Sequence, residues 1–212
     1  PLYGRMHGPL RVRPLPYSAT AEFFPRYNAE QRIATYAILG GVPAYLEQFT
    51  DELSILENLR HNLFRETGLF RTDPDYLIGE QVRDLKVYQA VLSAIALGAR
   101  KPADIALQAD LPQRSGVDPY LSQLVEMDYV RRELPATVPP NKRQTSRLSR
   151  YVLADNYLRF YFRFVRSNLN LIAQQLYDEV EKRISEQLRA FIGMTAFEEL
   201  SREWILTQAR SG

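Results

Sequence analysis

Between Asp84 and Leu153 the hydrophobic period changes once, and that change restricts the fold more than any other feature of the chain. Leu85, Tyr88, Val91, Leu92 and Ile95 recur at the spacing of one helix face, and Gly98 closes the run. Lys101-Pro102-Ala103-Asp104-Ile105-Ala106 opens a short second helix that ends at Asp110-Leu111-Pro112. A third helix is expected from Gly116 or Asp118 to Met127, burying Val117, Leu121, Leu124 and Val125. Then the period shortens: 129–134 and 150–153 read as strands, separated by a polar tip from Pro139 to Arg147. Three helices followed by a two-stranded hairpin is the order of a winged helix-turn-helix, expected over residues 83–155.

The flanks read as helical. Leu10 to Tyr17 alternates apolar and basic residues between prolines, which suits a short edge strand. After it, Asn28 is placed to cap a helix and Gln31 to reach back, with Ile33, Tyr36, Ala37 and Leu39 as its apolar stripe and Gly40-Gly41 as its stop. Asp51 to Phe64 repeats the pattern with Leu53, Leu56, Leu59 and Leu63, and Asp73-Pro74 opens another short helix. Beyond Asp155, Tyr157, Phe160, Tyr161 and Phe164 form a core stripe, while Arg159, Arg163 and Arg166 read as a solvated face. Two further helices are expected, one with Val180, Ile184, Leu188 and Phe191 ending near Gly193, the other with Phe197, Leu200 and Trp204. The chain is thus expected to be mainly α. A helical lid-like region (1–82) precedes the winged helix with its two-stranded β-wing (83–155), and C-terminal helices follow (156–212).

Composition narrows the chemistry. With 45% hydrophobic and 25% charged residues, the 212-residue chain has ordinary globular composition. It has no cysteine, which excludes disulfides, thiol nucleophiles and Cys-ligated metals and makes a reducing compartment, the cytoplasm, the expected setting. His7 and His61 lie far apart in no ligand motif, so no metal site is expected. No apolar run approaches the roughly 20 residues that cross a bilayer, and no signal segment is readable, so no membrane partner is expected. A net charge of +2 gives no general polycation field. Starting at Pro1 and ending in polar sequence at Gly212, the chain reads as a piece of a longer polypeptide.

Three separated motifs carry a resemblance: Pro1-Leu2-Tyr3-Gly4-Arg5, the stretch from Tyr36 to Leu46 (YAILGGVPAYL), and that from Leu153 to Phe164 (LADNYLRFYFRF). Together they resemble the archaeal-type ATPase family, P-loop proteins related to AAA+ and STAND ATPases. The resemblance implies an ATPase core whose end falls, with a helical lid-like region, in 1–82, then a winged helix (83–155) and the helical start of a truncated restriction-endonuclease-like C-terminal domain (156–212). It implies ATP and Mg as cofactors of the longer protein and the ATPase core as a partner within one polypeptide. An oligomer is compatible with it. In the family Arg5 sits where a strand leaves the core, which makes it a candidate nucleotide sensor. Glu198 and Glu199 match the Phe-Glu start of the nuclease-like domain, yet a lone glutamate pair reads more simply as a solvated face.

No Gly-x-x-x-x-Gly-Lys-Ser/Thr loop occurs in this chain, so neither ATP hydrolysis nor a cofactor is expected of it alone. Duplex DNA is the candidate external partner. Arg114 and Gln123, at the start and on the exposed side of the third helix, are candidates for phosphate and base-edge contact, although Asp118 and Glu126 on the same helix repel phosphates. In the wing, Arg131, Arg132, Lys142, Arg143, Arg147 and Arg150 stand against Glu133, and Lys142, Arg143 and Arg147 at the tip are the candidates for backbone contact. The alternative is a winged helix that binds no DNA and packs between domains or against a protein partner.

Overall fold

A computed structural model of the chain describes residues 14–63, 68, 74, 76–111, 116–135, 137–143, 146 and 148–211. The edge strand expected at Leu10–Tyr17 is absent from its described part: residues 14–16 are irregular and Tyr17 opens a 3-10 turn, leading into α1 (Thr20–Phe23). The reason lies in Gly41. Leu15 donates its N–H to the Gly41 carbonyl at 2.7 Å, and a Cβ on Gly41 would stand 1.9 Å from the Leu15 carbonyl oxygen. Gly41 is therefore more than a helix stop, because its missing side chain lets the Leu15 backbone pass directly over it.

Helix α2 (Ala29–Leu39) starts as its sequence indicates. The Gln31 N–H donates to Asn28 Oδ1 at 2.9 Å, and the Asn28 N–H donates to Gln31 Oε1 at 3.0 Å, so two orphan amides of the first turn are satisfied reciprocally. It ends at Gly40 with φ +67°. Pro43 begins the one-turn α3 (Pro43–Leu46). Helix α4 (Ile55–Leu63) starts later than Asp51 because Ser54 caps it: its N–H donates to Glu57 and its hydroxyl accepts from the Glu57 N–H. Asn58, fully buried, organises the loop before it. Its Oδ1 accepts from the Thr50 N–H (2.9 Å), and its Nδ2 donates to the Thr50 carbonyl (2.7 Å) and the Tyr27 hydroxyl (3.0 Å).

The winged helix follows as three helices and a hairpin. Its helices are α5 (Leu85–Ala96), α6 (Pro102–Gln108) and α7 (Asp118–Glu126). Strands β1 (Val130–Glu133) and β2 (Arg150–Leu153) pair antiparallel, Val130 opposite Leu153 and Glu133 opposite Arg150. Val130 and Leu153 are buried in the same hydrophobic cluster as Val91, Leu92, Ile105, Leu121 and Leu124, which anchors the wing at its inner end. The Tyr151 N–H donates to the Arg100 carbonyl at 2.9 Å, tying the α5–α6 connection to β2.

Asp155 caps α8 (Asn156–Phe160), accepting from the Leu158 N–H at 2.8 Å. The chain continues as a π-helical turn (Tyr161–Val165), a 3-10 turn (Arg166–Asn168) and α9 (Leu169–Ala173). Tyr157, Phe160, Tyr161 and Phe164 are all buried, as their spacing indicates. The last element, α10 (Tyr177–Ser211), is one helix where two are expected. Gly193 lies inside it, and the residues that follow, from Met194 to Leu200, include no proline and support helix. An interior glycine costs only about 1 kcal/mol relative to alanine, too little to break a helix packed along Val180, Ile184, Phe191 and Ala196.

The N-terminal layer does not stand apart from the C-terminal one. Helix α2 packs on α8 and α10, Asn156 Nδ2 donates to the Tyr36 carbonyl at 3.0 Å, and Arg60 pairs with Asp178. One continuous hydrophobic cluster runs from Phe24 through the winged helix to Ala196.

Candidate functional site

The residues that join the winged helix to the long helix form an ionic network centred on Glu199 of α10. Arg159, one turn into α8, is only 9% exposed. Its Nε donates to the Leu153 carbonyl at 2.7 Å, its Nη1 to the Thr195 carbonyl at 3.4 Å, and its Nη2 to Glu199 Oε1 at 3.3 Å. Arg131 of β1 reaches the same carboxylate oxygen with Nη2. One carboxylate therefore links wing strand, junction helix and terminal helix, and each guanidinium satisfies part of it.

Two of the sequence expectations are corrected by this network. Arg159, Arg163 and Arg166 are not a solvated face: Arg159 is buried, Arg163 donates to Gln187 (3.3 Å) and Arg166 to Gln89 (2.6 Å). Helical spacing puts the three near one another, but the turn widens from α to π after Phe160, and partners from the long helix (Glu199, Gln187) and from α5 (Gln89) meet them. Nor is Glu199 a solvated partner of Glu198. It is the acceptor that the two arginines share, whereas Glu198 is exposed.

Electrostatics mark the same place. Burial acts to raise the Glu199 carboxyl, but Arg159 and Arg131 outweigh it and hold it below the ordinary glutamate range. Asp155 moves the other way: burial pushes it up, against the opposing pull of the Leu158 amide and Arg159. The Tyr36 hydroxyl is pushed up to about 12, by burial first and then by Glu203, Glu199 and Asp155. Two clefts flank the Arg131–Glu199 bridge. One, of about 570 Å³, is lined by Tyr36, Gly40, Asp155, Asn156 and Glu203; the other, of about 360 Å³, lies between α5, the wing and α10.

The candidate DNA contacts are distributed differently. Gln123 accepts a hydrogen bond from the Tyr88 hydroxyl, so its amide oxygen is engaged within the winged helix. Asp118, Ser122 and Glu126 are the exposed side chains of α7 around it. Within the wing, Arg132 donates to Ser149 (2.8 Å), Arg131 is taken by Glu199, and Arg150 is directed at the Ser149 carbonyl (3.3 Å). The positive excess expected across the wing is thus partly engaged by the protein itself. Lys142 and Arg143 are exposed at the tip, on and beside a 3-10 turn, with the Arg143 Nε donating to the Val138 carbonyl at 3.5 Å. Arg5, Arg114 and Arg147 lie outside the described residues. Asn58 carries no motif, and Arg159, although inside the Leu153–Phe164 motif, reads there as part of a solvated stripe; its tie to Glu199, 40 positions further on, leaves no mark in the sequence.

Among the described residues, no group of three His, Asp or Glu is arranged to hold a metal, and no helix is long and apolar enough to cross a membrane.

Fold and site together define a winged-helix unit clamped to a helical layer by shared arginine–glutamate pairs. Residues 161–212, which carry the Glu199 side of the clamp, match the model of the DUF234 family, described as archaea bacterial proteins of unknown function. Over 206 residues the chain is 30% identical to an uncharacterized protein of Methanocaldococcus jannaschii. That match takes in 97% of this chain but 45% of the relative's length. No solved structure matches.

Proposed function

We propose that this chain is the lid-like, winged-helix and C-terminal helical part of an archaeal-type P-loop ATPase and acts as a non-catalytic coupling module. In that reading ATP and Mg belong to a core elsewhere in the polypeptide, and Arg5 is a candidate sensor of its nucleotide. The winged helix passes movement between that core and the segment carried by α10. The observation that carries the reading is the shared use of Glu199 by Arg131 and Arg159, because a rigid-body shift of the wing must either drag α10 with it or break a partly buried ion pair. Hydrogen exchange on the full-length polypeptide tests it. ATP should change protection of amides in the wing and in 190–205, and Glu199→Gln should weaken that change without removing nucleotide binding. Unchanged protection in both segments would sink the proposal.

A second reading, non-specific duplex DNA contact through the wing, is favoured by one observation: Lys142 and Arg143 are exposed at the tip. Fluorescence-anisotropy titration with duplex DNA at two salt concentrations decides it. Binding whose salt dependence drops when Lys142, Arg143 and Arg147 are changed to Ala supports this reading, since each lost phosphate contact lowers the salt slope by about 1. Binding indifferent to the triple change excludes it.

A further inference from the structure

We propose that the 360 Å³ cleft between α5, the wing and α10 is a binding site for a small amphiphilic anion, with Arg163 and Arg100 taking the anionic oxygens. The proposal is independent of the coupling reading. The volume lies within the range of small-molecule pockets, about 300–1,000 Å³.

Arg163 is the first observation. Its guanidinium is permanently charged, yet its Nε is buried and has no hydrogen-bond partner. Its Nη2 donates to the neutral Gln187 oxygen at 3.3 Å and its guanidinium lies 5.6 Å from the centroid of the Phe164 ring, but among the described residues no carboxylate pairs with it. A buried donor without an acceptor is costly, and native structures keep few of them without a reason. Arg163 also sits in the middle of the π-helical turn Tyr161–Val165; such turns are rare and concentrate at functional sites.

The second observation is the remainder of the lining. Arg131 and Arg159 also face the cleft but are committed to Glu199. Arg100 is exposed there and makes no side-chain hydrogen bond or ion pair among the described residues. Glu133 and Glu198 stand on the same lining, so no broad positive field exists. An anion must be held by directed contacts to Arg163 and Arg100. Ile95, Leu97, Phe191 and Met194 add apolar surface to the lining, and Leu97 and Met194 are 49% and 57% exposed. A ligand with a phosphate or carboxylate on an aromatic or branched apolar body matches both halves.

Isothermal titration of the 212-residue chain at low salt, with phenyl phosphate, phenylacetate and benzyl alcohol as probes, tests this. At least one anion should bind with one-to-one stoichiometry at millimolar concentration or below, and at least tenfold more tightly than the alcohol. The two anions distinguish a phosphate from a carboxylate preference. Arg100→Ala, at an exposed position that leaves folding intact, and Arg163→Gln should each weaken the anion at least tenfold, while Lys142→Ala changes nothing. The proposal is overturned if neither anion binds, if the alcohol binds equally well, or if Arg100→Ala leaves affinity unchanged.

Discussion

Arg159 donates from Nε to the carbonyl of Leu153 at 2.7 Å, so the last residue of the wing is held by a guanidinium whose other end faces Glu199 on the long helix. The wing and the terminal helix are thereby joined through a single side chain. Neither partner of that bond is free to move alone.

Removing this side chain leaves a buried carbonyl and a half-paired carboxylate. Arg159→Met should therefore destabilise the chain by about 2–4 kcal/mol in urea unfolding. Arg159→Lys should recover little of the loss, because a single ammonium cannot reproduce the planar fork that meets Leu153, Thr195 and Glu199 together. A Lys variant as stable as wild type would show that charge alone matters.

The two carboxyls at the junction give opposite responses to pH. Glu199, held low, contributes stability that is fully present above its ordinary value of 4.5 and lost as pH falls through its depressed value. Asp155, pushed up by burial, is costly when ionised; its burden lifts as pH falls through its raised value towards 3.8. Thermal unfolding from pH 7 downwards should show a relative gain from Asp155 before the loss from Glu199. Asp155→Asn keeps a capping oxygen and should abolish the gain, and Glu199→Gln should abolish the loss. Identical pH profiles for all three proteins would refute the assignment.

Asn58 should prove more important to the N-terminal layer than its lack of motif implies. Asn58→Ala strands the Thr50 amide and carbonyl, and a loss of about 1–3 kcal/mol is expected in chemical denaturation. Asn58→Asp should fare no better, since it removes the Nδ2 donor to Tyr27 and Thr50 and buries a charge.

Gln175 closes α9 with φ +60°, its N–H donating to the Ile172 carbonyl (3.0 Å) while the Leu176 N–H reaches Leu171 (2.9 Å). This is the Schellman arrangement, in which glycine is the favoured residue. Gln175→Gly should stabilise the protein by roughly 0.5–1 kcal/mol, read as a higher melting temperature. A lower melting temperature would mean that the Gln175 side chain contributes contacts outweighing its backbone strain.

What the sequence made legible was local. The Asn28–Gln31 capping box, the Gly40 stop and the three helices each depend on residues within a few positions of one another, and the hairpin on two short strand-like runs joined by a polar tip. Gln175 shows the limit even there: a helix carrying Val180 is expected as a separate element, but the non-glycine residue in the left-handed region that marks the break before it leaves no sign in the text. The arginine stripe shows a deeper limit. Periodicity says that Arg159, Arg163 and Arg166 share a side, but whether that side meets water or Glu199 depends on a helix 40 positions further on. The same holds for Arg131, which reads as a wing charge until α10 lies beside it. Gly193 failed in the opposite sense: a local stop signal was overridden by packing along the whole helix.

The joint between wing and helix is tested most directly by a double-mutant cycle on Arg131 and Glu199, using Arg131→Met, Glu199→Gln and the double variant in urea unfolding. A coupling energy of about 1 kcal/mol, reduced by high salt only in part, is expected for a half-exposed arginine on a partly buried carboxylate. Additive effects of the two single changes, within about 0.3 kcal/mol, would contradict the claim that the wing and the long helix are held as one unit.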